Sequence, residues 1–241
     1  MVVLALETVT RAGSVALFVD GACHATVGDP GRTHGERLPG ELLHALARQG
    51  LVLANVDGFA IVAGPGSFTG LRVGMAAIQG LSIASGRTIV AVPTLEAMAQ
   101  GWAWHRAPAS TIVVACLDGQ RGEVFSAAWR VTGQAEVFGS EGLLEPRVGP
   151  PEDLGEDVRR LAEHEDVVLV GDGARRHAAV FDRVVPIEDV PVPLAEVAAR
   201  HAARHPHRAV GPHALRPVYI RRPDAVLARE RRERTAPRPS S

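Results

Sequence analysis

A glycine-rich loop, Gly64–Gly70, limits the possible folds of this chain more than any other segment, because it joins a strand to a helix. The apolar run Phe59–Ala63 predicts a short buried strand, and Leu71–Ala84 predicts a helix that carries several small residues. Glycine permits positive φ and leaves backbone N–H groups accessible, and a helix N-terminus favours anions. The loop therefore predicts either a phosphate- or partner-binding loop or an ordinary tight strand-to-helix turn.

The residues before this loop predict an antiparallel meander. Val2–Leu6, Ser14–Val19 and Ala22–Val27 are apolar or alternating runs separated by short turns, which is typical of consecutive strands. Thr33 and Glu36 then fit a capping box at the start of a helix. A meander followed by strand–helix–strand–helix predicts an α/β fold with mixed sheet pairing.

The second half of the chain repeats this order, with strands first and helices after them. Strands are predicted at Thr111–Leu117, Glu123–Val131 and Ala135–Gly139, and helices follow Pro150 and Pro193. The repeat indicates an internally duplicated fold. The predicted parts are a first lobe at 1–105, a second lobe at 106–220 and an Arg-rich, disordered tail at 221–241.

Composition excludes several classes of protein. The chain contains no lysine, so the GK[ST] sequence of a P-loop cannot occur. The formal net charge of −1 argues against a whole-surface field for nucleic acid or a membrane. The amino end lacks a signal-peptide pattern, and no apolar run is long enough to span a bilayer, so we expect a cytoplasmic protein with no membrane contact. Cys23 and Cys116 are expected to be reduced thiols.

Two charged groups are candidates for chemistry but have simpler interpretations. His201 and His205 have the i,i+4 spacing of metal ligands on a helix. No third ligand is evident nearby in the sequence, so a solvated polar face and no metal site are predicted. Asp118, Arg121 and Glu123 lie between two strands, where a charged hairpin turn is the alternative to a catalytic cluster.

The segment from Gly64 to Gly74, GPGSFTGLRVG, resembles the TsaB (YeaZ) family of helper subunits in bacterial tRNA threonylcarbamoyladenosine synthesis. This motif is far more specific than a lone GxGxxG, and the resemblance covers nearly the whole chain. The supporting segments occur in the family's order and are Leu4–Thr8, His34–Leu38, Val92–Met98, Arg121–Phe125 and Pro217–Arg221.

The resemblance implies an actin/Hsp70-like (ASKHA) fold of two lobes, each with a mixed sheet flanked by helices. It also implies a heterodimer with a catalytic TsaD-type paralogue and assembly with a TsaE-type ATPase. That complex transfers threonylcarbamoyl to N6 of an adenosine beside the tRNA anticodon. The chain would have no cofactor of its own, although ADP or ATP at the subunit interface is compatible with the family.

In the resembled family, the first lobe and the helix after the glycine motif make the heterodimer interface. The residues that this implies here are Leu38, Leu42, Gly70, Leu71, Val73, Gly74, Ala77, Ile78 and Leu81. The catalytic paralogue carries a metal-binding His-x-x-x-His pair at the positions that correspond to Thr94 and Met98. No catalytic residue is therefore predicted in this chain.

Two turns resemble the phosphate-binding turns of actin-like ATPases in a degenerate form. The first has Glu7 where the usual residue is Asp, and Val9 would crowd a phosphate. The second follows a buried strand and could equally be an ordinary strand-to-helix turn. Their residues are Glu7, Thr8, Thr10, Gly171, Asp172 and Gly173.

Four other hypotheses stay open at this point. The chain could be an independent actin-like ATPase or phosphotransferase, which would need both turns to bind nucleotide. A peptidase lacks any recognisable nucleophile–base pair or metal site in the sequence. The tail arginines, from Arg229 to Arg234, could contact tRNA, although Glu230 and Glu233 favour a solvated tail. A homodimer of the free chain is also compatible with small apolar helix faces.

Overall fold

This computed structural model describes residues 1–106, 109–133, 136–138, 140–181 and 184–220. The described part forms two five-stranded sheets with helices packed against their faces. The predicted tail, 221–241, lies outside the described residues.

The first sheet combines the predicted meander with two parallel strands. Its strands are β1 (Val2–Glu7), β2 (Ser14–Val19), β3 (Ala22–Val27), β4 (Gly58–Val62) and β5 (Ile89–Val92). Their order across the sheet is β3-β2-β1-β4-β5. The three meander strands pair antiparallel, whereas β4 pairs parallel with β1 and β5 pairs parallel with β4. The central strands β1 and β4 are apolar at nearly every position because both faces of the sheet are covered.

The second sheet has the same topology. Its strands are β6 (Thr111–Asp118), β7 (Val124–Val131), β8 (Leu144–Gly149), β9 (Val167–Val170) and β10 (Ile187–Glu188). Their order is β10-β9-β6-β7-β8, again with three antiparallel strands followed by two parallel ones. This repetition of a mixed sheet confirms the duplicated, actin/Hsp70-like fold class.

One predicted strand is wrong. Within Ala135–Gly139, the described residues Glu136–Phe138 form a loop, and the third strand of the second meander is β8. Val137 and Phe138 are buried in the core, and the Val137 N–H donates to Gln100 Oε1 at 2.6 Å. These apolar residues therefore anchor a loop against α3 (Thr94–Arg106) instead of entering a sheet.

The remaining helices cover the sheets from both sides. They are α1 (His34–Ala47), α2 (Phe68–Ser85), α4 (Pro151–Ala162), α5 (Asp172–Arg176), α6 (Ala178–Phe181) and α7 (Leu194–Arg204). Helices α1 and α2 pack against the first sheet and against each other. Helices α4 and α5 pack against the second sheet, and α6 packs against both of them. The capping box is confirmed, because Glu36 Oε2 accepts from the Thr33 N–H at 2.8 Å.

Two helices cross between the predicted lobes, 1–105 and 106–220. Helix α3 packs on β6 and β7 of the second sheet, and α7 packs on β1, β2 and β4 of the first. The chain after α7 also stays with the first sheet, since the Val218 N–H donates to the Ala63 carbonyl at 2.7 Å. Neither lobe is therefore a continuous stretch of sequence.

A search of the described helices finds none with both the length and the apolar character that a bilayer span requires.

Candidate functional site

The glycine-rich loop packs onto the turn between β1 and β2. The Ser67 N–H donates to the Val9 carbonyl at 2.9 Å, and Ser67 Oγ accepts from the Gly70 N–H at 3.2 Å. At Gly66, φ is +152°, and a Cβ there would lie 2.6 Å from Cβ of Val9. The local geometry supports the tight-turn interpretation of this loop, since its glycine allows close contact within the chain.

Two glycines of α2 face the same turn. A Cβ at Gly70 would lie 2.0 Å from the Thr8 carbonyl oxygen, and a Cβ at Gly74 would lie 2.2 Å from Thr8 Oγ1. The small residues at the start of α2 therefore bring this helix close to β1. They serve the chain's own packing.

The fold buries several side chains of the predicted partner interface. Leu38 and Leu42 of α1 have 2% and 6% of their surface exposed, and Leu71 and Ile78 of α2 have 1% and 0%. Large apolar side chains of both helices face the first sheet, so a partner cannot contact them in this conformation. The predicted interface residues that the fold buries are Leu38, Leu42, Gly70, Leu71, Gly74 and Ile78.

The opposite side of α2 is open to solvent. Ala76 and Gly80 are exposed, Ile83 keeps 59% of its surface exposed, and three predicted interface residues flank them as partly buried positions. We call this surface the α2 outer face. Its members are Arg72, Val73, Ala76, Ala77, Gly80, Leu81 and Ile83.

An aromatic cluster lies at the amino end of the α2 outer face. The Arg72 guanidinium is 4.0 Å from the centre of the Phe68 ring, and that ring is 5.9 Å from the ring of Tyr219. Phe68 and Tyr219 are each 47% exposed. The outer face therefore combines small apolar residues with a large exposed aromatic pair, which is the composition of a protein-binding surface.

The first predicted nucleotide turn is closed by its own hydrogen bonds. Glu7 is buried, and its carboxylate accepts from the Thr10 N–H at 2.6 Å, from Thr10 Oγ1 at 3.0 Å and from Ser14 Oγ at 3.3 Å. Burial raises the pKa of Glu7 above its ordinary value, although the hydrogen bonds from Thr10 and Ser14 oppose this. Thr8 is also buried, and its Oγ1 has no hydrogen-bond partner among the residues that the structure describes.

The second predicted nucleotide turn begins α5. Gly171 has φ of +116°, and a Cβ at Gly173 would lie 2.6 Å from the Leu117 carbonyl carbon. Asp172 Oδ1 accepts from the Asp118 N–H at 2.9 Å, and this bond ties α5 to the end of β6. The turn is therefore a close contact between β6, β9 and α5.

The structure brings both turns to one cleft between the lobes, with a volume of about 480 Å³. Among the described residues, three carboxylates line it, from Glu7, Asp172 and Asp189, and Arg11 is the one basic side chain in the lining. This excess of negative charge opposes the binding of a nucleoside triphosphate unless a cation accompanies it. The other lining residues include Thr10, Gly13, Ser14, Met98, Leu117, Gly171 and Leu194.

The positions that carry the paralogue's metal ligands contain no imidazole here. Thr94 and Met98 are buried at the start of α3, and within the described part of the chain Thr94 Oγ1 has no hydrogen-bond partner. A Cβ at Gly171 would lie 2.2 Å from Cε of Met98, so this methionine fills the space beside the second turn.

The charged group between β6 and β7 is a hairpin turn. Gln120 and Arg121 have positive φ values of 58° and 56°, as tight turns require. Asp118 Oδ2 pairs with Arg176 at 2.8 Å, which links this turn to α5. The arrangement supports the hairpin interpretation of Asp118, Arg121 and Glu123.

The predicted solvated face of α7 is wrong at His201. This side chain is 2% exposed, and its Nδ1 lies 3.0 Å from Glu136 Oε1. His205 Nε2 lies 3.2 Å from Glu136 Oε2. Sequence reasoning missed Glu136 because it is 65 residues from His201 and stands in no recognisable motif.

Comparisons with known proteins agree with the fold. A family model described as "TsaD: tRNA N6-adenosine threonylcarbamoyltransferase" matches residues 29–221. The tRNA threonylcarbamoyladenosine biosynthesis protein TsaB of Haemophilus influenzae is 31% identical over 233 residues, which cover 92% of this chain and 94% of that protein.

Further matches include the TsaB protein of Escherichia coli, which is 36% identical over 150 residues. That match covers 61% of this chain and 64% of the E. coli protein. Among solved structures, YeaZ from Pseudomonas aeruginosa superimposes with a TM-score of 0.73 at 28% identity, covering 91% of this chain and 99% of that one.

Proposed function

The chain belongs to the TsaB (YeaZ) family of tRNA threonylcarbamoyladenosine biosynthesis proteins, and we propose that it is a non-catalytic partner subunit in that modification. In this proposal it binds and activates a TsaD-type paralogue. The paralogue transfers threonylcarbamoyl to N6 of the adenosine beside the tRNA anticodon. A TsaE-type ATPase joins the complex, ADP or ATP is held between subunits, and tRNA is bound mainly by the assembled complex.

The observation that carries this proposal is the α2 outer face. Ala76 and Gly80 offer no bulky side chain, so the backbone of a partner helix can approach closely there. Ile83 and the aromatic pair at the amino end would lose their exposed apolar surface on binding. Burying such surface contributes about 25 cal/mol per Å², and a standard interface covers about 800 Å² on each partner.

Activation through this surface needs no catalytic residue from the helper. Binding at the outer face would favour the conformation of the paralogue that has the higher affinity for this chain. The absence of imidazole at Thr94 and Met98 supports a division of labour in which the paralogue supplies the metal ligands.

The first test is light scattering during size-exclusion chromatography of this chain, alone and mixed with the TsaD-type protein of the same organism. We expect a new peak with the mass of a heterodimer. Failure to form a complex with or without nucleotide would contradict the partner role.

Substitutions on the outer face test which surface binds. Ala76→Glu and Ile83→Glu place a charge where the interface would be dry, so we expect the heterodimer peak to disappear. Each variant should keep the melting temperature of the unaltered chain, because Ala76 and Ile83 are both exposed. Ala179→Glu puts the same charge on the exposed side of α6 and should leave the complex intact. Intact binding by the α2 variants would assign the interface to another surface.

The same face could pair two copies of this chain when the paralogue is missing. In that case the free chain runs as a homodimer, and Ala76→Glu converts it to a monomer. The paralogue would then compete with self-association.

The inter-lobe cleft favours a second candidate, an independent actin-like ATPase or phosphotransferase. Both predicted turns line this cleft, although its carboxylates oppose phosphate binding. Titration of the isolated chain with Mg–ATP distinguishes the two functions. Micromolar binding with turnover that Asp172→Asn abolishes would favour the enzyme over the helper subunit.

A further inference from the structure

Glu136, His201 and His205 form a cluster outside the inter-lobe cleft. Each residue offers one ligand atom, and these atoms all lie within 4.8 Å of one another. His201 lies in the last turn of α7, His205 is the residue that follows this helix, and the carboxylate comes from the loop between β7 and β8. His201 is buried and His205 keeps 26% of its side chain exposed, so the cluster has one side open to solvent.

The cluster is held in place by contacts that do not involve its own polar atoms. The Phe138 ring centre lies 4.0 Å from that of His201, and the His205 ring centre lies 4.6 Å from it. The Val137 N–H donates to Oε1 of Gln100 in α3. This hydrogen bond ties the backbone next to Glu136 to that helix. The carboxylate therefore lies next to two buried residues, Val137 and Phe138, which anchor the backbone beside it.

The donor set matches the preferences of first-row divalent transition metals. Two imidazoles and one carboxylate are a common protein ligand set for zinc, which leaves one position for water. Tetrahedral zinc places its ligands about 3.3–3.5 Å apart, so an ion would draw ligand atoms that lie within 4.8 Å of one another together by about 1.5 Å at most. Calcium and magnesium prefer oxygen ligands and do not fit two imidazoles.

We propose that Glu136, His201 and His205 bind a divalent transition-metal ion of the zinc type. The bound ion would connect the two lobes, because α7 packs on the first sheet whereas the loop carrying Glu136 belongs to the second. Without metal, each imidazole N–H donates to one carboxylate oxygen, and the ion replaces these two hydrogen bonds. The proposal is independent of the partner function, because none of the three ligands belongs to the α2 outer face.

The test uses the full chain without a polyhistidine tag. Zn²⁺ at about 100 times its dissociation constant should raise the melting temperature by about 5–10 °C, and an equal concentration of Mg²⁺ should not. Co²⁺ should give the visible absorption of a low-coordinate site with nitrogen ligands. No Co²⁺ absorption together with no Zn²⁺ shift would overturn the proposal.

Single substitutions assign the ligands. His205→Gln and Glu136→Gln should weaken Zn²⁺ binding at least about tenfold. Both side chains are partly exposed, so we expect each variant to fold. His44→Gln, an exposed histidine in the last turn of α1, should bind as the unaltered chain does. The ring centre of His207 lies 5.6 Å from that of His205, so His207→Gln checks separately whether this neighbouring imidazole takes part in binding. Equal binding by all ligand variants would place the ion elsewhere and overturn the assignment.

Discussion

At the scale of single residues, Glu7 shows how one substitution changes the character of a turn. An aspartate side chain would end one carbon earlier, whereas the Glu7 carboxylate reaches Thr10 and Ser14 and accepts hydrogen bonds from both. The side chain that could have faced a ligand instead satisfies the turn's own N–H and hydroxyl groups.

Glu7 also makes stability depend on pH. Because burial raises its pKa, the folded state binds more protons than the unfolded state above the ordinary Glu value, so stability falls as the pH rises through that window. Glu7→Gln should reduce this loss of stability with rising pH, since the amide carries no charge and can still accept from the Thr10 N–H. The free energy of unfolding, measured by urea denaturation from about pH 4 upward, tests the prediction.

The matched control is Glu152→Gln, an exposed carboxylate at the start of α4. We expect its pH profile to follow that of the unaltered chain. A Glu7→Gln chain that still loses stability with rising pH to the same extent would show that other groups are responsible.

At the scale of elements, the glycines of α2 have different structural roles. Gly70 lies against the Thr8 carbonyl, whereas a Cβ at Gly80 would meet nothing within 4 Å. One glycine permits close packing on β1, and the other leaves the outer face flat at a cost in helix propensity.

This difference predicts opposite effects of the same substitution. Gly70→Ala should destabilise the chain by about 1–3 kcal/mol, because the Thr8 backbone must move. Gly80→Ala should stabilise it by about 0.5–1 kcal/mol through helix propensity. Urea midpoints of the two variants provide the comparison, and a destabilising Gly80→Ala would mean that the outer face is already covered in solution.

At the scale of the whole molecule, the lobes share two helices. Helix α7 returns from the second half of the sequence to cover β1, β2 and β4, and α3 leaves the first half to cover β6 and β7. The apolar core runs continuously through both helices, since Val113 and Ala115 belong to the same buried cluster as Leu4 and Val197. The lobes should therefore unfold together.

Cutting the chain at the predicted lobe boundary tests this. A fragment of residues 1–106 lacks α7, so one face of its sheet would be exposed, and we expect no cooperative thermal transition. Adding a fragment of residues 190–220 should restore a transition. A cooperative melt of 1–106 alone would show that the first lobe folds without α7.

Local pattern in the sequence predicts most strands and helices, because β1, β2 and β9 are apolar runs bounded by turn residues. It also carried the glycine motif that identifies the family. Only the tertiary structure decided which side of α2 faces solvent, since this helix has apolar or small residues all round and periodicity cannot choose between its faces. The same holds for the exchange of α3 and α7 and for the meeting of Glu136 with His201. These contacts join residues far apart in the chain, and local pattern contains no information about them.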